Sequence, residues 1–226
     1  NGSRYLVVPR VGWGRRTERC VNGSSEVVTN LSAAVVIYLV RMSMLRHIGV
    51  DGVAAVTIVL YAEFLLNSIN YGYSSGVAPL FSYQYGKGAK AKLQKLFRNS
   101  LLLVGGCSVA ALTIAQIFAG DIVSVFAPAG GTVHPYALHG YRIYSLCFLF
   151  MGFNVFASAL FTALSNGKIS ALLSFMRFVL IAGAILALPT FVGVDGVWMA
   201  VPVAEVLAIA VSAYCVYRYR TVYRYM

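Results

Sequence analysis

Residues 53–81 read VAAVTIVLYAEFLLNSINYGYSSGVAPLF. A helix crosses a bilayer in about 20 predominantly apolar residues, and this run is long enough to do so with some tilt. Glu63 lies near its middle. Written as a helix, the run returns Asn67, Asn70 and Ser74 to the side that carries Glu63, because steps of three and four residues share a face. A carboxylate at mid-bilayer costs about 2.5–3.5 kcal/mol on insertion scales, so such a stripe is expected to face a bundle interior or a water-filled cavity. Gly72, Gly76 and Pro79 fall in the last third, where freed backbone groups need partners from neighbouring helices or water.

The rest of the chain has the same character. Of its 226 residues, 59% are hydrophobic and 11% charged, far from the roughly 25% charged residues of soluble domains. Six spans are expected: Val27 to Leu45, Val53 to Phe81, Leu101 to Phe118, Tyr144 to Leu164, Ile169 to Phe191 and Val197 to Tyr217. These runs are too long for the alternating strands of about ten residues that build a membrane barrel. The predicted fold is therefore an all-α, polytopic six-helix bundle over residues 23–226, preceded by a basic linker over 1–22.

The net charge of +11 is sorted by position rather than clustered for nucleic acid. Arg4, Arg10, Arg15, Arg16 and Arg19 precede the first span. Lys87, Lys90, Lys92, Lys95 and Arg98 follow the second, Lys168 the fourth, and Arg218, Arg220 and Arg224 the sixth. Six crossings put these on one side, with Arg41, Arg46 and Arg142 at or near the other. The positive-inside rule then predicts that both termini are cytoplasmic. The lysine-bearing stretch reads as a solvated loop or a short amphipathic helix against anionic headgroups. Residues 119–140, with Pro128, Gly130, Gly131, His134 and His139, are expected as an outer loop. Cys20, Cys107, Cys147 and Cys215 are scattered and form no C-x-x-C pair, which suits buried thiols better than a metal site.

Candidate site residues are the polar groups within the spans. Glu26 and Asn30 share a face at the start of the first, although Glu26 is equally readable as an interfacial residue favoured by the helix dipole. Glu63 suits a carboxylate that exchanges a proton as its surroundings alternate between dry and wet; the competing account is a hydrogen bond that packs two helices. On the fourth span Met151, Asn154, Ser158 and Thr162 recur at helical spacing beside Phe148, Phe150, Phe153 and Phe156, a lining suited to apolar cations. Ser158 and Thr162 read equally well as packing contacts. Arg177 and Glu205 are intramembrane charges expected to serve as structural pins. No H-E-x-x-H or G-x-S-x-G pattern suggests an enzyme, and no cofactor motif is evident.

Several stretches resemble the multidrug and toxic compound extrusion family. SSGVAPLFSYQYGKGAK at residues 74–90 looks like a helix end and basic loop of that family. FASALFTALSNGK at 156–168, continued by LLSFMR at 172–177, is similar to its paired helices around a G-K loop. GVWMAVPVAE at 196–205 is similar to the opening of its last helix, and NGSSEVVTN at 22–30 to its seventh. The resemblance implies the C-terminal six-helix lobe of a twelve-helix antiporter that exports organic cations in exchange for protons or sodium. It also implies that an N-terminal lobe, or a second copy, completes the transporter alongside membrane lipids. Glu26, Asn30 and Glu63 carry over as this lobe's candidate polar site; the seventh-helix carboxylate of other subgroups falls at Asn30. A lipid or lipid-linked oligosaccharide flippase of related architecture is the alternative.

Overall fold

A computed structural model describes residues 31–223 and Tyr225. Glu26, Asn30, Cys20 and the expected 1–22 linker lie outside the described residues. Helix α1 covers 31–47. It is followed by α2 (Val50–Gly86), α3 (Lys90–Ile117), α4 (Ala119–Phe126), α5 (Val133–Tyr144), a 3-10 turn at Ser145–Cys147, α6 (Phe148–Ala163), α7 (Gly167–Val192) and α8 (Val194–Tyr223). Every regular element among the described residues is helical. Among the described residues, five spans are long and apolar enough to cross a membrane: α2, α3, the run from α5 through α6, α7 and α8. The chain is a multi-pass membrane protein, and α1 is the described part of the first expected span.

Helix α2, with 37 residues, is about 55 Å long at 1.5 Å per residue, well beyond the hydrocarbon thickness. It passes through Gly72, Gly76 and Pro79 without interruption. Its buried residues include Ala55, Val59, Ala62, Asn67, Asn70, Ser74, Val77 and Phe81, a continuous helical seam in which the polar stripe takes the place of aliphatic side chains. That seam packs against α5 and α6. Helix α7 is different. Leu173, Ile181, Ile185 and Pro189 are its buried residues, while Leu172, Phe175, Val179, Leu186 and Phe191 are exposed. It is the most apolar of the five spans, as suits a helix with most of its surface toward lipid.

Apart from the stretch that carries α4, the connections are one to three residues long, so the helices they join run antiparallel. Gly193 turns α7 into α8 at φ 65, a left-handed conformation that favours glycine. Two ends of the bundle result, and they differ in charge. Lys87, Lys90, Lys92, Lys95, Arg98, Lys168, Arg218 and Arg220 gather at one end. Asp51, Asp121 and Asp195 occupy the first turns of α2, α4 and α8 at the other, where the helix dipole favours a negative charge.

One expected loop is corrected to helix, and the lysine-bearing stretch, readable as a loop or a short amphipathic helix, is largely helical. The lysines after the second span lie mostly on the opening turns of α3, because Leu93, Phe97 and Ser100 recur at helical spacing and are buried. The expected outer loop at 119–140 holds α4 and the first two turns of α5, since Ala119, Val123 and Ala127 bury one stripe and Ala137 and Tyr141 another. His134 contacts the Ser124 hydroxyl, and His139 pairs with Asp195 at 2.8 Å, fastening α5 to the start of α8.

Candidate functional site: a polar network across the middle of the helices

The stripe on α2 meets side chains from α5 and α6, with charged groups of α7 and α8 within electrostatic reach. Glu63 is half-buried, and its carboxylate accepts a hydrogen bond from the Tyr144 hydroxyl at 2.5 Å. One turn along, the Asn67 amide contacts the Met151 sulfur, and Asn70 donates to Asn67 Oδ1 at 3.3 Å. Asn67, Asn70, Ser74 and Met151 are all buried. The close approach of α2, α3 and α6 depends on Gly152: a Cβ there would stand 2.6 Å from Ser108 Oγ and 2.9 Å from Asn70 Oδ1. The Ser74 and Ser108 hydroxyls are buried without a hydrogen-bond partner among the described residues.

A second group adjoins the first across α6. Asn154 donates to Glu205 Oε2 at 2.7 Å and to the Glu205 carbonyl at 3.1 Å, while Ser212 donates to Asn154 Oδ1 at 2.8 Å. Arg177 Nε donates to the other Glu205 oxygen, Oε1, at 2.5 Å. The Tyr71 phenol also interacts with the guanidinium, and Arg177 and Glu205 lie within electrostatic reach of Glu63. A carboxylate with its charge matched by arginine and its second oxygen satisfied by an amide is tolerable in an apolar interior; an unpartnered one is not.

The structure thus brings together Glu63, Asn67, Asn70, Met151, Asn154, Arg177 and Glu205. Glu26 and Asn30 lie outside the described residues. Arg177 and Glu205, expected as structural pins with a buried Arg177–carboxylate pair left open, are partners, and through Asn154 they join the candidate site. Tyr144, Ser212 and Tyr71 were not anticipated. Tyr144 stands seven residues before Met151, two helical turns along one face, and that spacing was the available signal. Ser158 and Thr162 join the Ser170 and Ser174 hydroxyls of α7, with Ser158 Oγ at 2.9 Å from Ser170 Oγ and Thr162 donating to it at 2.7 Å. They are contacts between α6 and α7.

The family model MatE matches residues 27–187. No curated protein matches the chain in sequence. Among solved structures, a MOP superfamily transporter from Pyrococcus furiosus, described as having a binding pocket of reverse polarity that suggests a different function, is 17% identical with a TM-score of 0.82. The match covers 89% of this chain and 46% of that one. A multidrug resistance MATE family transporter of the MOP superfamily, in its inward-facing conformation, is 17% identical with a TM-score of 0.83, covering 97% of this chain and 54% of that one. A MATE protein in complex with MaL6 is 16% identical with a TM-score of 0.83, over 90% of this chain and 46% of the other. These likenesses establish the fold, and the chain spans about half the length of the structures it matches.

Proposed function

The chain belongs to the MatE family, and from that premise we propose that it is the C-terminal lobe of a cation-coupled antiporter, exporting organic-cation drugs or xenobiotics by alternating access. Its working unit includes a second six-helix lobe, an N-terminal one or another copy, in the cytoplasmic membrane. The basic end, with both termini, faces the cytoplasm, in keeping with the positive-inside rule. The coupling ion is a proton or sodium.

One observation carries this reading. Among the described residues the carboxylates and guanidinium of the network are Glu63, Glu205 and Arg177, and Arg177 is taken up by Glu205. Glu63 is left with a neutral hydroxyl as its hydrogen-bond partner. A carboxylate in that position accepts a proton or a small cation when its surroundings dry, and its neutralisation removes the attraction for a cationic substrate nearby. The excess of negative over positive charge favours cations over the phosphate groups that a lipid flippase would hold. Replacing Glu63 by Gln in the full-length transporter keeps the shape and removes the charge. Drug efflux should be lost while expression is unchanged; efflux at the parental rate would reject the role of Glu63.

A further inference from the structure

The run from α5 to α6 changes winding at Ser145–Cys147, where one 3-10 turn joins two α-helices. Mid-helix 3-10 stretches are sites where the backbone ladder is disturbed and side chains supply hydrogen bonds. Here the donor comes from another helix. Gln116, near the end of α3, directs its amide at the Arg142 carbonyl at 2.9 Å and at the Ser145 hydroxyl at 2.9 Å. Ser145 in turn donates to the same Arg142 carbonyl at 3.1 Å. Amide, hydroxyl and carbonyl form a closed triangle. Ser145 is fully buried within it.

Tyr144 lies inside the segment that this triangle clamps. Its ring is buried and packs edge-on against Phe148, and its hydroxyl is the donor to Glu63. A tyrosine hydroxyl lies at the end of a long rigid lever, so its direction is set by the backbone that bears it. Among the described residues, the other groups within electrostatic reach of Glu63 are Arg177, Glu205 and the Cys147 thiol of the turn itself, and none of them hydrogen-bonds to Gln116. The hydrogen-bonded path from Gln116 to Glu63 among the described residues therefore runs through the turn and Tyr144.

We propose that Gln116 is a positioning residue of the Glu63 site, holding the Arg142–Ser145 turn so that Tyr144 presents its hydroxyl to the carboxylate. This rests on the reading of Glu63 as the coupling group. Loosening the clamp frees the run to rewind and carries Tyr144 off Glu63, giving α3 a say in the state of a carboxylate it does not touch.

The test reads the hydrogen bond directly. The Glu63 carboxyl infrared band, identified by its loss in Glu63→Gln, is followed in full-length protein carrying ¹³C-labelled glutamate in lipid nanodiscs. Tyr144→Phe should displace the band. Gln116→Met, of similar shape but without the amide, should displace it in the same direction by at least half as much, and the double variant no further than Tyr144→Phe alone. Gln116→His, which restores an N–H donor, should return the band toward its parental position. An unmoved band in Gln116→Met or in Tyr144→Phe overturns the proposal. If Gln116→Met does not fold, Ser145→Ala replaces it: displacement in the same direction supports the clamp, and none overturns it. Parental efflux from Glu63→Gln would sink the coupling role alone, because the band shifts do not depend on transport.

Discussion

Arg177 and Glu205 form an ion pair at 2.5 Å where α6, α7 and α8 meet, with the carboxylate fully buried and the guanidinium partly exposed. Removing one member leaves the other charge without its partner, a loss of about 3–5 kcal/mol, whereas replacing both by apolar groups is often close to neutral. Glu205→Leu should therefore lower the thermal stability of the detergent-solubilised protein strongly. Adding Arg177→Met should recover most of that loss. Equal melting temperatures for the single and double variants would show that the two charges are not coupled.

The contact between His139 and Asp195 provides the contrast. Their side chains are 59% and 46% exposed, so water competes for both groups. Exposed pairs contribute about 0–1 kcal/mol. Asp195→Asn should shift the melting temperature little, and far less than Glu205→Leu does under the same conditions. A comparable loss would mean that the contact between α5 and α8 carries more of the fold than its exposure implies.

Gly152 of α6 packs against Ser108 of α3 and Asn70 of α2. A methyl group there would press on Ser108 Oγ and Asn70 Oδ1, and overpacking of this kind costs about 1–3 kcal/mol. Gly152→Ala should destabilise the protein by that amount in a thermal melt. Ser108→Gly should recover part of the loss, because it removes the nearer obstruction. Failure of the pair to recover any stability would place the strain on Asn70 instead.

Much of this arrangement was legible in the sequence because lipid imposes simple rules. Apolar length marked the spans, and the step of three and four residues from Glu63 to Asn67, Asn70 and Ser74 identified the inward face of α2. Helix boundaries were harder. Leu93 and Phe97 extend α3 backward through the lysines by tertiary burial, which charge and hydropathy alone do not reveal. The partners of the polar groups were not legible at all. Tyr144 and Glu63 are 81 residues apart, and Arg177 and Glu205 28 apart, so their meeting depends on how the helices rotate and cross. The 3-10 turn at Ser145–Cys147 has no periodicity of its own to announce it.

At the basic end, Tyr225 is fully buried after the last helical residue of α8. Its ring lies 5.0 Å from that of Phe97 on α3, and its hydroxyl donates to the Val216 carbonyl at 2.7 Å. Two contributions can be separated. Tyr225→Phe removes the hydroxyl alone and should cost about 0.5–1.5 kcal/mol, the net worth of one hydrogen bond. Tyr225→Ala also removes the ring and should cost roughly 3 kcal/mol or more, in line with aromatic truncation in packed cores. If the two variants melt together, the hydroxyl is the anchor and the ring only fills space. If Tyr225→Ala is much the worse, the ring ties α8 to α3, and trypsin cleavage after Arg218 or Arg220 should accelerate in that variant as the end of α8 frays.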